Sequence, residues 1–200
     1  MGRTSDAKER ILNSAMELIH TRSYSAVGVQ EICQHAEVNK GSFYYFFESK
    51  QDLLVAALDQ RLEMLNEHLL DVAFDLELSP LAQISNFLKL ASQQLGTQHS
   101  DGQICGCPVG NLAAELSSCD EVVRAKIEEI MLAVTTRIAQ ALDSAIALGE
   151  IPRINSNHTA ESIWAYLEGA ILVSKIRQDA SSLGRVAEKA LLLIPRTKTS

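Results

Sequence analysis

Between Lys8 and Leu58 the apolar positions form short runs at helical spacing, separated by polar turns. Ile11, Leu12, Ala15, Met16, Leu18 and Ile19 recur every three to four residues and predict a first helix from Ser5 or Asp6 to about Thr21. Ser23 to Ala26 reads as a connector. Gly28 then serves as N-cap for a second helix, with Glu31 in the first turn where the helix dipole favours a carboxylate. Val29, Ile32, Cys33 and Ala36 give that helix one buried face, and it ends near His35. Glu37 follows, at a position where Gly or Asn is easiest. Asn39 caps a third, short helix. Its Phe43, Phe46 and Phe47 are assigned to the core, leaving Asn39, Lys40, Ser42, Tyr44 and Tyr45 to face elsewhere. Ser49 and Asp52 make a variant capping box for a long fourth helix, lined on one side by Leu54, Leu58, Leu62, Leu65, Leu69 and Val72.

The same periodicity runs through the rest of the chain. Ser79-Pro80 opens a helix with Leu81, Ile84, Leu88, Ala91 and Leu95 on one face, stopped by Gly96. Residues 97–106 are a polar loop, and Pro108 to about Ser117 is a short helix. Ser118 and Glu121 have capping-box spacing and open a helix to about Leu148, ended by Gly149 and Pro152. Two more helices are expected over 158–178 and 182–194. The sum is about nine helices with no strand pattern and no internal repeat. An all-α fold follows, with a three-helix helix-turn-helix head at 1–50 and a helical body at 51–200. The boundary near residue 50 is crossed by a continuous helix.

Composition agrees with the pattern: 46% of residues are apolar, with only four prolines and ten glycines. No run of 18 apolar residues suggests a membrane span, and MGRTSDAKER has no apolar stretch of signal-peptide type. A cytoplasmic protein without membrane partners is expected. Charge adds something the pattern does not. The chain carries a net −7, yet residues 1–50 hold six Lys and Arg against six Asp and Glu. The acidic excess lies wholly outside the head. A neutral head with locally placed cations suits DNA phosphates, while an acidic body is kept from them. A short helix with polar, basic and aromatic residues on its outer face is one that a major groove accepts.

Several features coincide between Lys8 and Leu58: Tyr24 in the connector, Val29 with Ile32, the run Val38-Asn39-Lys40-Gly41-Ser42-Phe43-Tyr44, and Phe47-x-Ser49-Lys50-x-x-Leu53-Leu54. Together they resemble the DNA-binding head of the TetR family of transcriptional regulators. The resemblance implies a homodimer that binds a palindromic double-stranded operator, mostly as a repressor, and a variable helical body whose effector releases the DNA. By position, Gln30 matches a DNA-contacting site of the second helix. Lys40 and Ser42 match positions facing base edges, and Tyr44 and Tyr45 match positions touching phosphates or bases. Lys50 matches a frequent phosphate contact. Tyr45 replaces the commoner His, and Glu37 the commoner Gly.

Ile104 to Ser118, ICGCPVGNLAAELSS, is the second informative segment. Its GC-x-x-GN-x-A-x-E pattern resembles the sixth helix of a TetR subgroup that includes regulators responding to reactive electrophiles or apolar small molecules. Gly106-Cys107-Pro108-Val109-Gly110 imitates a nucleophile elbow, but Pro108 lacks the N–H that an oxyanion hole needs and no strand precedes it. A cysteine-based enzyme is therefore disfavoured, as is a nonspecific architectural DNA protein with so acidic a body. A zinc site from His99, Cys105, Cys107 and Cys119 has unusual C-x-C spacing; no metal or cofactor is assigned. With Pro108 at the first helical position, Cys107 becomes the N-cap, where the helix dipole favours a thiolate, and Cys105 is a candidate resolving partner. Packing as small apolar residues remains the alternative for both, and is assigned to Cys33. For a noncovalent effector, Phe87, Met131, Trp164 and Tyr166 are the polarisable candidates. Ile163, Leu167, Ala170, Ile171 and Ser174, then Val186, Ala190, Leu191 and Ile194, have spacings suited to helix packing. By resemblance these two helices build a four-helix dimer interface with their symmetry mates.

Overall fold

The computed structural model describes residues 2–97, 99–100 and 102–196. Its helices are α1 (Gly2–Arg22), α2 (Val29–His35), α3 (Lys40–Phe46), α4 (Lys50–Leu65), α5 (Pro80–Thr97), α6 (Pro108–Leu116), α7 (Glu121–Ala147), α8 (Ser156–Arg177) and α9 (Ala180–Ala187). A 3₁₀ stretch, Glu188–Leu193, continues α9. The all-α expectation holds. The expected 97–106 loop contains a minimal hairpin, β1 (His99–Ser100) paired antiparallel with β2 (Gln103–Ile104). At two residues each these strands are too short to announce themselves by alternation.

Two compact units emerge: Met1–Glu63 with Pro108–Glu129, and Met64–Cys107 with Ile130–Ser200. The first differs from the expected 1–50 head because α6 and the start of α7 join it. Polar ties explain the difference. Gln51 donates to Asp120 at 2.8 Å, and Lys126 pairs with Asp59 at 2.7 Å. The apolar core of this unit includes Ile11, Ala15, Ile32, Phe43, Leu53, Leu54 and Leu58, all essentially inaccessible.

Local chemistry sets the ends of the helices. The Ser49 hydroxyl accepts the Asp52 N–H at 3.0 Å, and the Asp52 carboxylate reaches back one residue past the cap to accept the Glu48 N–H at 3.1 Å, a variant of the capping box. The expected cap at Ser118 is displaced. Asp120 takes that place, its carboxylate accepting the Val123 N–H at 3.1 Å, and α7 begins at Glu121. Aspartate is the stronger acceptor, and Ser117-Ser118-Cys119 is left as a turn.

In the second unit, α4 runs on through a π turn, Asn66–Leu70, and a last turn, Asp71–Ala73. The extra residue of the π turn rotates the buried face by about 100°. Leu69, Leu70 and Ala73 are buried, while Val72, expected on the apolar side, is exposed. The core then gathers Phe74, Ile84, Phe87 and Leu88 with Val134, Ile138 and Leu142 of α7, Ile163, Leu167 and Ile171 of α8, and Leu183 and Ala187 of α9. By length and composition α7 is apolar enough to cross a membrane. Its buried residues Val123, Ile127, Ile130, Val134, Ile138, Ala141 and Ala145 follow the three-to-four spacing of a core helix, with Arg124, Glu128, Glu129 and Arg137 outside that stripe.

Candidate functional site

Helices α2 and α3 meet at a tight turn. The Val38 N–H reaches the Cys33 carbonyl at 2.9 Å and the Glu37 N–H reaches Gln34 at 3.2 Å, with Glu37 left-handed at φ 53°. This is a Schellman-type stop in which a glutamate holds the position glycine prefers. Asn39 caps α3 as expected: its Oδ1 accepts the Ser42 N–H at 2.8 Å and the Ser42 hydroxyl at 3.2 Å. Gly41 makes room for that cap, since a Cβ there would stand 3.1 Å from Asn39 Oδ1.

The cap and the core fix which face of α3 is free. Phe43 and Phe47 are buried. Phe46, expected in the core with them, is only half-buried. Lys40 is exposed, and Tyr44 and Tyr45 are 58% and 74% exposed. Each tyrosine is braced edge-on by a phenylalanine: Tyr44 against Phe43 with ring centres 5.2 Å apart, Tyr45 against Phe46 at 4.9 Å. Bracing lowers the entropy lost when such a ring meets a ligand. Gln30 is exposed on α2. The structure therefore brings Lys40, Ser42, Tyr44 and Tyr45 together on one short helix, with Asn39 at its head.

Lys50 is set apart from that group. Its ammonium donates to the carbonyls of Tyr24 at 2.6 Å and Val27 at 2.7 Å, and lies 3.8 Å from the centre of the Tyr24 ring. Burial lowers its pKa, opposed by the charge of Glu115. Two of its three donors are spent inside the head. Beside it, Glu115 of α6 accepts the N–H groups of Tyr24 at 2.9 Å and Ser25 at 2.8 Å, and also the Ser25 hydroxyl. Burial pushes the Glu115 carboxyl up, but the Ser25 and Tyr24 hydrogen bonds and the Lys50 charge bring it below its ordinary value. Neither Glu115 nor Tyr24 was assigned a role from the sequence, although the former is the Glu of the GC-x-x-GN-x-A-x-E pattern.

Two profiles of known proteins match the chain. "Bacterial regulatory proteins, tetR family" matches residues 11–57, and "Tetracyclin repressor-like, C-terminal domain" matches residues 80–190. The chain belongs to the TetR family of transcriptional regulators. The regulator AcuR of Cereibacter sphaeroides is 34% identical over 85% of this chain and 77% of its own length. A TetR regulatory protein from Rhodobacter sphaeroides superposes with a TM-score of 0.82 at 31% identity, covering 94% of this chain and 98% of that one. The reduced form of Escherichia coli NemR does so with a TM-score of 0.84 at 25% identity, covering 97% and 100%. This protein is thus a DNA-binding regulator of the helix-turn-helix type.

In the second unit of this TetR-family chain, the cysteines occupy distinct environments. Cys105 is buried, with its sulfur 3.9 Å from the Gln103 carbonyl, and Cys107 is half-buried directly before Pro108. The Gln178 side chain holds the approach to them by pairing with both backbone groups of Ile104, at 2.9 Å and 3.1 Å. Burial raises the Glu168 pKa, opposed by a hydrogen bond from Cys107. A thiol that donates to a carboxylate stands against the thiolate expected from an N-cap position alone. In the first unit Cys33 is buried, and burial raises its pKa, as its assignment to packing requires. Cys119 is exposed. Among the described residues no cluster of three or more His, Cys, Asp or Glu is placed to hold a metal; the His99 side chain lies outside the description.

Phe87 is core, its ring tilted against Phe74 with centres 5.7 Å apart, and Trp164 and Tyr166 pack partly buried against that core. Two cavities of the second unit, about 490 Å³ beside Gln83, Arg137 and Leu148 and about 390 Å³ beside Leu81, Leu191 and Ile194, are lined by none of Phe87, Met131, Trp164 and Tyr166.

The expected dimer residues need correction. Ile163, Leu167, Ala170, Ile171, Ser174 and Ala190 are buried inside the protomer, and Val186 and Leu191 pack against the same core. The six buried side chains have no free surface to give to a partner, whereas Val186 and Leu191 are only partly buried. The exposed face of α8 is polar in its first turns, with Asn157, His158, Glu161 and Ser162, and apolar further on, with Ala165, Gly169, Leu172, Val173 and Ile176; Leu192 and Leu193 are exposed beyond α9.

Proposed function

We propose that this regulator is a repressor that binds a palindromic operator as a homodimer and releases it when an effector engages the helical body. The outer face of α3 carries this reading. Lys40 supplies charge, and two braced, exposed phenols supply hydrogen bonds and flat surface. The inner face is spent on core and cap. Lysine and tyrosine in this arrangement position a helix on phosphates and reach base edges. Asn39 and Ser42 build the cap and stand at the groove-facing end, while Gln30 of α2 meets the backbone.

One such helix offers little contact area, and a twofold pair reads two half-sites. The aliphatic stripe of α8 suits the second copy. NemR, 29% identical over 70% of this chain, is named a repressor, which supports the direction of control. The body takes a small molecule or an electrophile. The Cys107 thiol beside Glu168 is the candidate for the second, with Cys105 as resolving partner. Effector binding shifts the population from DNA-competent to DNA-incompetent states. The protein works in the cytoplasm, and no step requires a catalytic function. The test is stoichiometry. Duplexes enriched from a random pool by the purified protein should be inverted repeats that take two protomers each in sedimentation. A saturated complex with one protomer per duplex contradicts the dimeric reading.

A further inference from the structure

The connector between α1 and α2 is held from both sides by charged side chains. It opens at Ser23, whose φ of 125° is a region side chains rarely adopt. Strain of this kind persists only where surrounding groups enforce it. Here they come from two helices outside the helix-turn-helix. From α6, the Glu115 carboxylate collects the Tyr24 and Ser25 N–H groups at 2.9 Å and 2.8 Å together with the Ser25 hydroxyl. From α4, the Lys50 ammonium collects the Tyr24 and Val27 carbonyls at 2.6 Å and 2.7 Å and sits over the Tyr24 ring. A carboxylate thus takes the donors of the connector and an ammonium takes its acceptors.

We propose that Glu115 and Lys50 form a clamp that positions α2, and through it the recognition helix, for operator binding. The inference rests on the DNA-binding reading above. The connector ends at Val27, 1% exposed, and Gly28, the N-cap of α2. A shift at Ser25 therefore moves the start of α2, and the tight Glu37 turn passes that shift to α3. Glu115 and Lys50 are positioning residues. The clamp makes α6 an arm of the DNA-binding unit, and it assigns Lys50 to the connector and not to a phosphate.

The full-length protein and a labelled duplex selected by the wild type provide the test. In Glu115→Gln the shape is kept and the charge is lost. Operator affinity should fall about tenfold, the effect of losing a charge-assisted hydrogen bond. The salt slope should stay at the wild-type value, because no phosphate contact is removed. Amide exchange should accelerate at Tyr24 and Ser25 while Phe43 and Phe47 stay protected, which general destabilisation would not produce. Lys50→Gln should also weaken binding with an unchanged slope, and the double variant should lose little beyond the larger single loss. A Lys50→Gln slope reduced by about 0.9, with losses that add, overturns the clamp in favour of a phosphate contact. So does Glu115→Gln that binds like wild type although Tyr24 and Ser25 exchange faster. If Glu115→Gln fails to fold, Ser25→Ala removes only the hydroxyl donor and should weaken binding about threefold; unchanged binding there overturns the clamp. A wild type that enriches no duplex overturns the DNA-binding reading itself, whereas a binding wild type with an indifferent Glu115→Gln overturns the clamp alone.

Discussion

Helices α3 and α8 each bury one face and expose another, but the two exposed faces have opposite chemistry. On α3 the free face carries Lys40, Tyr44 and Tyr45, with Asn39 and Ser42 at its head. On α8 it carries Ala165, Gly169, Leu172, Val173 and Ile176. A cation and two phenols gain from phosphates and base edges and lose little by standing in water meanwhile. Aliphatic side chains gain only by leaving water, at roughly 25 cal/mol per Å². The first face suits a hydrated polyanion and the second another apolar surface, which in the proposed dimer a twofold partner would supply with its own α8. On that proposal one protomer carries an address for DNA and an address for itself, on separate helices.

The strongest way to break this contrast is to give α8 the character of α3. Leu172→Glu with Ile176→Glu places like charges at the proposed self-contact, and should raise the dimer dissociation constant by at least about 100-fold. Sedimentation velocity reads the outcome; a variant that remains dimeric removes the stripe from the interface. Operator binding should weaken with it, because the half-sites would then be engaged one at a time.

A smaller effect sharpens the contrast from the buried side of α8. Glu168 is its half-buried carboxyl, raised by burial against the opposing hydrogen bond from Cys107. A carboxyl whose folded pKa lies above its unfolded value leaves stability intact below the unfolded value, about 4.3, and costs stability as pH rises through the folded one. Glu168→Gln should therefore raise the melting temperature at pH 8 by about 2 °C or more, with a smaller gain at pH 4. Equal gains at both pH values would mean that ionisation is not the cause. The same variant removes the negative charge that opposes thiolate formation, so iodoacetamide should label Cys107 faster.

The smallest effect belongs to the turn before α3. Glu37→Gly relieves a left-handed residue, and after the glycine entropy cost it should stabilise by about 0.5 kcal/mol. Urea unfolding measures it. A destabilisation would show that the Glu37 side chain contributes contacts that outweigh its backbone strain.

These two regions were not equally legible in the sequence. The helix-turn-helix could be read because each signal was local: the Asn39 cap, the Ser49 box and the phenylalanine spacing act within a few residues. On α8 the helix was found and its faces were not. Leu167 and Ile171 lie on one side and Leu172 and Ile176 on the other, so hydrophobic periodicity has no polar side to orient it. The π turn at Asn66–Leu70 failed differently. Nothing in NEHLL marks an inserted residue, so Leu65 and Leu69 face the core as expected but the place assigned to Val72 passes to Leu70 and Ala73. The cap at Asp120 was missed because Ser118 and Glu121 satisfied the same spacing rule two residues earlier. Glu115 and Lys50 are a matter of distance along the chain. Glu115 lies 91 residues from Tyr24, and no local pattern joins them.

The central claim is that the outer face of α3 reads the operator. The most direct test is parallel selection of bound duplexes from a random pool by the wild type and by Lys40→Ala. The wild type should enrich an inverted repeat. Lys40→Ala should enrich the same repeat with base preference relaxed at one symmetric pair of positions, a loss worth about 1–3 kcal/mol there. Identical motifs of identical information from both proteins would place sequence reading elsewhere and contradict the account.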